Sequence, residues 1–128
     1  MTSRRILLTG FLAVSAGTAL AHGEARRGVN GGVIGDLGER HIEMLARDSE
    51  IRIWLLDAQD KPVPATGASG SLIVLAQGRP QNVRLEMGEA GAYLVGRGDF
   101  QAEPGMRVVA SMTLPGQTQR QARFTPAD

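Results

Sequence analysis

From residue 33 onward the chain alternates apolar and polar side chains in short runs separated by turn residues. In one run Ile51, Ile53 and Leu55 interleave with Arg52, Trp54 and Leu56; in another Val83 and Leu85 interleave with Asn82, Arg84 and Glu86. A period of two sends successive side chains to opposite faces of a strand, so each run predicts a half-buried strand. Eight runs of this kind occur: Gly32 to Ile34, Arg40 to Arg47, Ile51 to Asp57, Ser71 to Gln77, Asn82 to Met87, Ala92 to Gly96, Arg107 to Leu114 and Arg120 to Thr125. Between them stand Asp48-Ser49, Asp57-Ala58-Gln59-Asp60, Gln77-Gly78-Arg79-Pro80, Gly88-Glu89-Ala90-Gly91, Glu103-Pro104-Gly105 and Pro115-Gly116. Each supplies residues suited to tight turns. Helical periodicity is nowhere sustained. Seven or eight strands at this spacing predict an all-β fold, an antiparallel β-sandwich over residues 33–126.

The first two dozen residues follow a different pattern. Arg4 and Arg5 precede an apolar stretch from Ile6 to Ala16, which is too short to span a bilayer, and Ala19-Leu20-Ala21 is a small-x-small cleavage site. Residues 1–21 are therefore expected to be a signal peptide cleaved after Ala21, with export to the periplasm. The arginine pair also fits a twin-arginine signal, an alternative to the ordinary export route. Residues 22–32 read as a flexible N-terminal arm leading into Gly31-Gly32.

Of the 128 residues, the first 21 carry two of the 14 basic side chains and none of the 13 acidic ones, so the remaining 107 balance at −1 with histidine neutral. That length suits one domain. Without a basic excess there is no electrostatic footprint for nucleic acid, and no stretch after residue 21 is apolar for long enough to span a membrane. Cysteine is absent, which excludes disulfide staples and thiolate metal sites.

Cleavage after Ala21 would make His22 the first residue of the mature chain, leaving His41 as its only other histidine. A terminal amine and the imidazole of the same residue can close a chelate ring on one metal ion, and His41 would add a third nitrogen. Three nitrogens in a T-shape suit Cu(II), with nickel or zinc as alternatives. A terminal amine ordinarily titrates at about pH 8, so it loses its proton readily to a metal near neutral pH. Cleavage after Ala19 would instead place His22 third, where amine, two amides and imidazole form a square-planar site for Cu(II) or Ni(II). His41 and Glu43 lie two apart in a strand and share a face, so Glu43 is a candidate further ligand or a support for the imidazole. The bland alternatives are a solvated His22 and a strand histidine without metal.

Met44 and Met112 read as core filler. Trp54, near Met44 and His41 across paired strands, raises the alternative of a Cu(I) site capped by an indole. Asp57 and Asp60 read as turn formers rather than calcium ligands, since the loop lacks the six to eight or so oxygens that calcium takes. No nucleophile elbow and no glycine-rich phosphate loop before a helix appears, so catalysis is not expected.

The segment Leu56-Asp57-Ala58-Gln59-Asp60-Lys61-Pro62-Val63 resembles the turn and following strand of bacterial immunoglobulin-like and transthyretin-like modules, making the expected sandwich immunoglobulin-like. Asn30-Gly31-Gly32, Arg40-His41-Ile42-Glu43-Met44-Leu45, Asp57 to Val63 and Ala122-Arg123-Phe124 together give the chain a wider likeness. It resembles small uncharacterised periplasmic proteins associated with heavy-metal efflux and is similar to the N-terminal sandwich region of cobalt-zinc-cadmium type efflux adaptors. The chain departs from that pattern at Asn30, where histidine is frequent, and at Gln59-Asp60, where glycine is usual. The resemblance implies a periplasmic β-sandwich in a metal-handling context, with a component of a metal-efflux system as partner. The functional expectation is an exported protein that binds or delivers a transition metal, copper first, through His22, His41 and Glu43. The alternative is a non-catalytic structural or interaction module of an envelope or efflux complex whose strand edges recruit a partner.

Overall fold

A computed structural model describes residues 26–128. The expected signal peptide, its cleavage sites and His22 lie outside the described residues. Within them the chain is all-β and antiparallel. The strands are β1 (Val33–Leu37), β2 (Arg40–Arg47), β3 (Glu50–Leu56), β4 (Pro62–Val63), β5 (Ser69–Ala76), β6 (Arg79–Met87), β7 (Leu94–Arg97), β8 (Arg107–Thr113) and β9 (Arg120–Phe124). Each of the eight alternating runs falls on a strand. The ninth strand, β4, is a two-residue pairing against the end of β3 that leaves too short a pattern to read.

The strands follow one hydrogen-bonded path in the order β1-β2-β3-β7-β6-β5-β8-β9. β6 joins its two halves, pairing with β5 through Arg79 to Arg84 and with β7 through Leu85 to Met87. At the ends of the path β1 and β9 pack together, so the sheet is nearly closed into a barrel. The ring of Phe124 fills the space beside Gly35 that a Cβ would occupy.

Connections follow from local chemistry. Gly38-Glu39 links β1 to β2, Asp48-Ser49 links β2 to β3, and Gln77-Gly78 links β5 to β6, each a two-residue hairpin loop. Such loops twist with the strands only if positive φ is available. Gly38, Ser49, Gln77 and Gly78 supply it, with φ of 65°, 66°, 52° and 72°. The interior then takes one face of each strand. Ile51, Ile53 and Leu55 of β3 meet Leu72 and Val74 of β5, Val83 and Leu85 of β6, and Val108, Ala110 and Met112 of β8 in one apolar cluster. Met44, Met106 and Met112 belong to that cluster, as expected of gap-filling methionines. Among the described residues no helix is long and apolar enough to cross a membrane.

Candidate functional site

His41 stands near the start of β2 with its side chain 36% exposed. The two-residue turn at Gly38-Glu39 sets a register in which Asp36 lies directly opposite His41, and Leu56 lies opposite on the other side. Directly opposed residues share a face, so Asp36 and His41 meet outside the sheet. The Nε2 nitrogen is 3.2 Å from Asp36 Oδ1, and Nδ1 is 2.7 Å from Asp60 Oδ1.

Asp60 reaches His41 because of the turn after β3. Asp57 Oδ1 accepts the backbone N–H groups of Gln59 at 2.8 Å and Lys61 at 2.9 Å, while the Asp60 N–H donates to the Asp57 carbonyl. These bonds, that to Lys61 foremost, hold the Asp57 carboxyl below its usual range. Asp60 takes a left-handed φ of 62°, which aspartate tolerates better than most residues. Both aspartates are thus tied into the turn, as expected. The other oxygen of Asp60 accepts from Arg26 Nη1 at 3.2 Å. Arg26 is the first described residue, and its carbonyl also accepts the Ile34 N–H. The N-terminal segment therefore enters the fold beside the aspartate that holds His41.

The two carboxylates lie on opposite ring nitrogens, which matters for what the imidazole can do. A neutral imidazole carries one N–H and one lone pair. With the proton on Nδ1, facing the closer and less exposed Asp60, Nε2 presents its lone pair toward the outward-facing oxygens of Asp36. Nε2 and Asp36 Oδ1, 3.2 Å apart, together present two potential donors on the outer face. A hollow of about 570 Å³ opens beside His41, bounded also by Glu39, Arg40, Leu56 and Asp57.

Glu43 shares the outer face of β2 with His41, as the alternation requires, yet it serves a different purpose. It is fully buried. Its Oε2 accepts the backbone N–H of Gly32 at 2.7 Å and of Asn30 at 3.0 Å, and Oε1 accepts from Asn30 Nδ2 at 3.2 Å. Residues 28–32 form a tight turn, closed by bonds from Gly28 N–H to the Gly32 carbonyl and from Gly31 N–H to the Gly28 carbonyl. Gly28 lies so close to the Glu43 carboxyl that a Cβ there would overlap it. The carboxylate thus satisfies amides that the sheet cannot, and its oxygens are turned to this turn rather than to the imidazole.

The pairing of Trp54 with Met44 is corrected. Trp54 lies opposite Glu43 on the outer face, whereas Met44 lies opposite Ile53 in the interior, so the sheet separates indole from thioether. Trp54 instead packs at a tilt of 49° against Tyr93 with ring centroids 5.5 Å apart, and Arg52 covers the Tyr93 ring.

Among the described residues no group of three or more histidine, aspartate and glutamate side chains is placed to hold one metal ion. His41 Nε2 and Asp36 can supply two donors to one ion; the rest of a coordination shell has to come from elsewhere. Asp36 escaped the reading of the sequence, and Asp60 was read there only as a turn former. Extending the first run from Ile34 to Leu37 would have exposed Gly38-Glu39 as a two-residue hairpin loop and placed Asp36 opposite His41. No family model, curated protein or solved structure matches the chain.

Proposed function

We propose that this is an exported, non-catalytic β-protein that binds copper in the periplasm and hands it on within metal efflux or homeostasis. The observation that carries the reading is the chain of contacts from Arg26 through Asp60 to His41. It brings the start of the described chain to the imidazole. His22 is four residues before Arg26, a span of at most about 14 Å when extended, and on this reading its amine and imidazole would approach His41. Asp60 would fix the tautomer by accepting the Nδ1 proton, the usual role of a carboxylate behind a metal-bound histidine. Asp36 would add an oxygen donor. Glu43 would shape the turn that leads the arm toward the site without ligating. On this reading the fold is the sandwich suggested by the spacing of the runs, immunoglobulin-like as the resemblance of Leu56 to Val63 implies, with β6 passing between its two sheets.

The test is a Cu(II) titration of protein recovered from the periplasm, with the N-terminus confirmed by intact mass and binding followed by electron spin resonance. Tight nitrogen-type binding that is lost in His41→Ala supports a site shared by His22 and His41. Tight binding that survives His41→Ala assigns the metal to the N-terminal segment alone, and absence of binding rejects copper carriage.

A further inference from the structure

We propose that the outer face of β5, β8 and β9 is a docking surface for a partner protein whose contacting surface is acidic around an apolar centre. The proposal is independent of the metal reading, since this face lies on a different part of the sheet from His41.

Three observations carry it. The first is misplaced apolar surface. Leu72, Val74 and Ala76 of β5 are buried, so Ile73 and Leu75 point outward, and they are 42% and 39% exposed. Ile73 lies directly opposite Val109 of β8, whose side chain shares that face. The solvent face of an antiparallel sheet ordinarily alternates to polar residues, and three adjoining branched side chains break that rule.

The second is a mainly basic rim, with Glu86 of β6 and Glu103 before β8 as the acidic groups beside it. Leu75 lies opposite Arg107, Val109 lies opposite Arg123, and Ser71 lies opposite Arg84 of β6. All three arginines are exposed, and among the described residues none has an ion-pair partner within 4.0 Å. β5, β8 and β9 contain no aspartate or glutamate, although residues 26–128 hold as many acidic as basic side chains. The positive charge therefore marks this face and is not a property of the whole chain. Such a field favours an approaching surface of the opposite sign and disfavours others.

The third is a mainly apolar hollow of about 270 Å³ beside Leu75, Val109 and Phe124, with Arg107 and Arg123 at its margin. Anchor residues of protein interfaces bury in such pockets, with arginine among the preferred side chains around them. The neutral groups between, Ser71 and Asn82, have hydrogen-bonding capacity that a protein surface can meet and lipid tails cannot. That chemistry favours a protein over a membrane.

The test places a photo-reactive amino acid at Ile73 of the full chain in its native host, with a second version carrying it at Glu89, in the turn between β6 and β7 beside Arg52 of β3. The expected result is an adduct from Ile73 and not from Glu89, mapped by mass spectrometry to a segment of one partner protein rich in aspartate or glutamate. Its yield should fall at least tenfold when Arg107→Glu and Arg123→Glu are combined and persist when both become lysine. Because both arginines are exposed, thermal melts of the purified variants should match the parent, which separates lost docking from lost folding. Absence of an adduct, an adduct to a second copy of the chain, equal adducts from both positions, or indifference to charge reversal would each overturn the proposal. So would arginine-dependent binding of the purified protein to phosphatidylglycerol vesicles without a protein adduct.

Discussion

His41 Nδ1 lies 2.7 Å from Asp60 Oδ1, joining β2 to a turn 19 positions further along the chain. Neither residue is buried: His41 is 36% and Asp60 27% exposed. A contact of this kind contributes little to global stability, because exposed charged pairs are typically worth about 0–1 kcal/mol. Its consequence is orientation. With Nδ1 against Asp60, the other ring nitrogen of His41 is directed outward at Asp36.

Asp60→Asn isolates that role. Asparagine tolerates the left-handed backbone at this position and keeps an acceptor oxygen, so the turn should survive. The charge that holds both Arg26 and the imidazole is removed. Copper affinity is expected to drop about tenfold or more, in line with other supporting carboxylates, while the melting temperature moves by only a few degrees. Calorimetric titration beside a thermal melt reads both; an unchanged affinity would show that Asp60 does not act behind a metal ligand.

Glu43 should behave in the opposite way. Glu43→Ala strands the amides of Asn30 and Gly32 without their acceptor and opens a void in a fully buried site. Losses of about 2–4 kcal/mol are usual for such changes, which for a domain of this size corresponds to a fall of roughly 10–25 °C in melting temperature. Glu43→Gln keeps the volume and one acceptor, and should lie between. If copper affinity of Glu43→Gln, measured well below its melting point, stays at the parent value, Glu43 is a scaffold residue; a collapse in affinity would restore it as a ligand.

The contrast between these residues shows what a sequence can disclose. Strands were legible because one face of each is committed to the interior: Ile51, Ile53 and Leu55 are buried together and the alternation records it. Turns were legible because Asp57, Ser49 and Gly78 are residue types with local reasons to be there. The same-face placement of His41 and Glu43 was legible too. What the two carboxylates at His41 do was not, since it depends on hairpin register and on a turn 19 positions away. Nor was the purpose of Glu43, which is decided by residues 28–32 folding back over β2. The arginine-rimmed face is likewise invisible along the chain, because Ile73, Val109 and Arg123 come together only through the order of β5, β8 and β9.

The turn itself should carry a pH signature. The Asp57 carboxyl is held low by the N–H groups it accepts, first that of Lys61. A group whose folded value is depressed adds stability that is fully present above its unfolded value, about 3.9 for aspartate, and is lost as pH falls through the folded value. The difference in melting temperature between the parent and Asp57→Asn should therefore be constant above about pH 5 and shrink in acid below about pH 4. A gap that persisted undiminished in acid would mean that charge on Asp57 has no part in the turn.

Closure of the sheet rests on Phe124 against Gly35, where the ring of β9 occupies the place of a side chain on β1. Gly35→Ala should force these ends apart, and overpacking of this kind costs about 1–3 kcal/mol. If the clash is with the ring alone, shortening the ring should relieve it: Phe124→Leu combined with Gly35→Ala should be more stable than the sum of the two single losses implies. Residues in contact couple by about 0.5–3 kcal/mol in such cycles, whereas distant ones add. Additive losses in chemical denaturation would therefore mean that β1 and β9 are not packed on one another in solution. The consequence reaches the candidate site, because β1 also carries Asp36 and the Ile34 N–H that donates to the Arg26 carbonyl. A sheet that opens between β1 and β9 frees the strand that brings both to His41, so Gly35→Ala should weaken copper binding as well as stability, and Phe124→Leu should restore part of each.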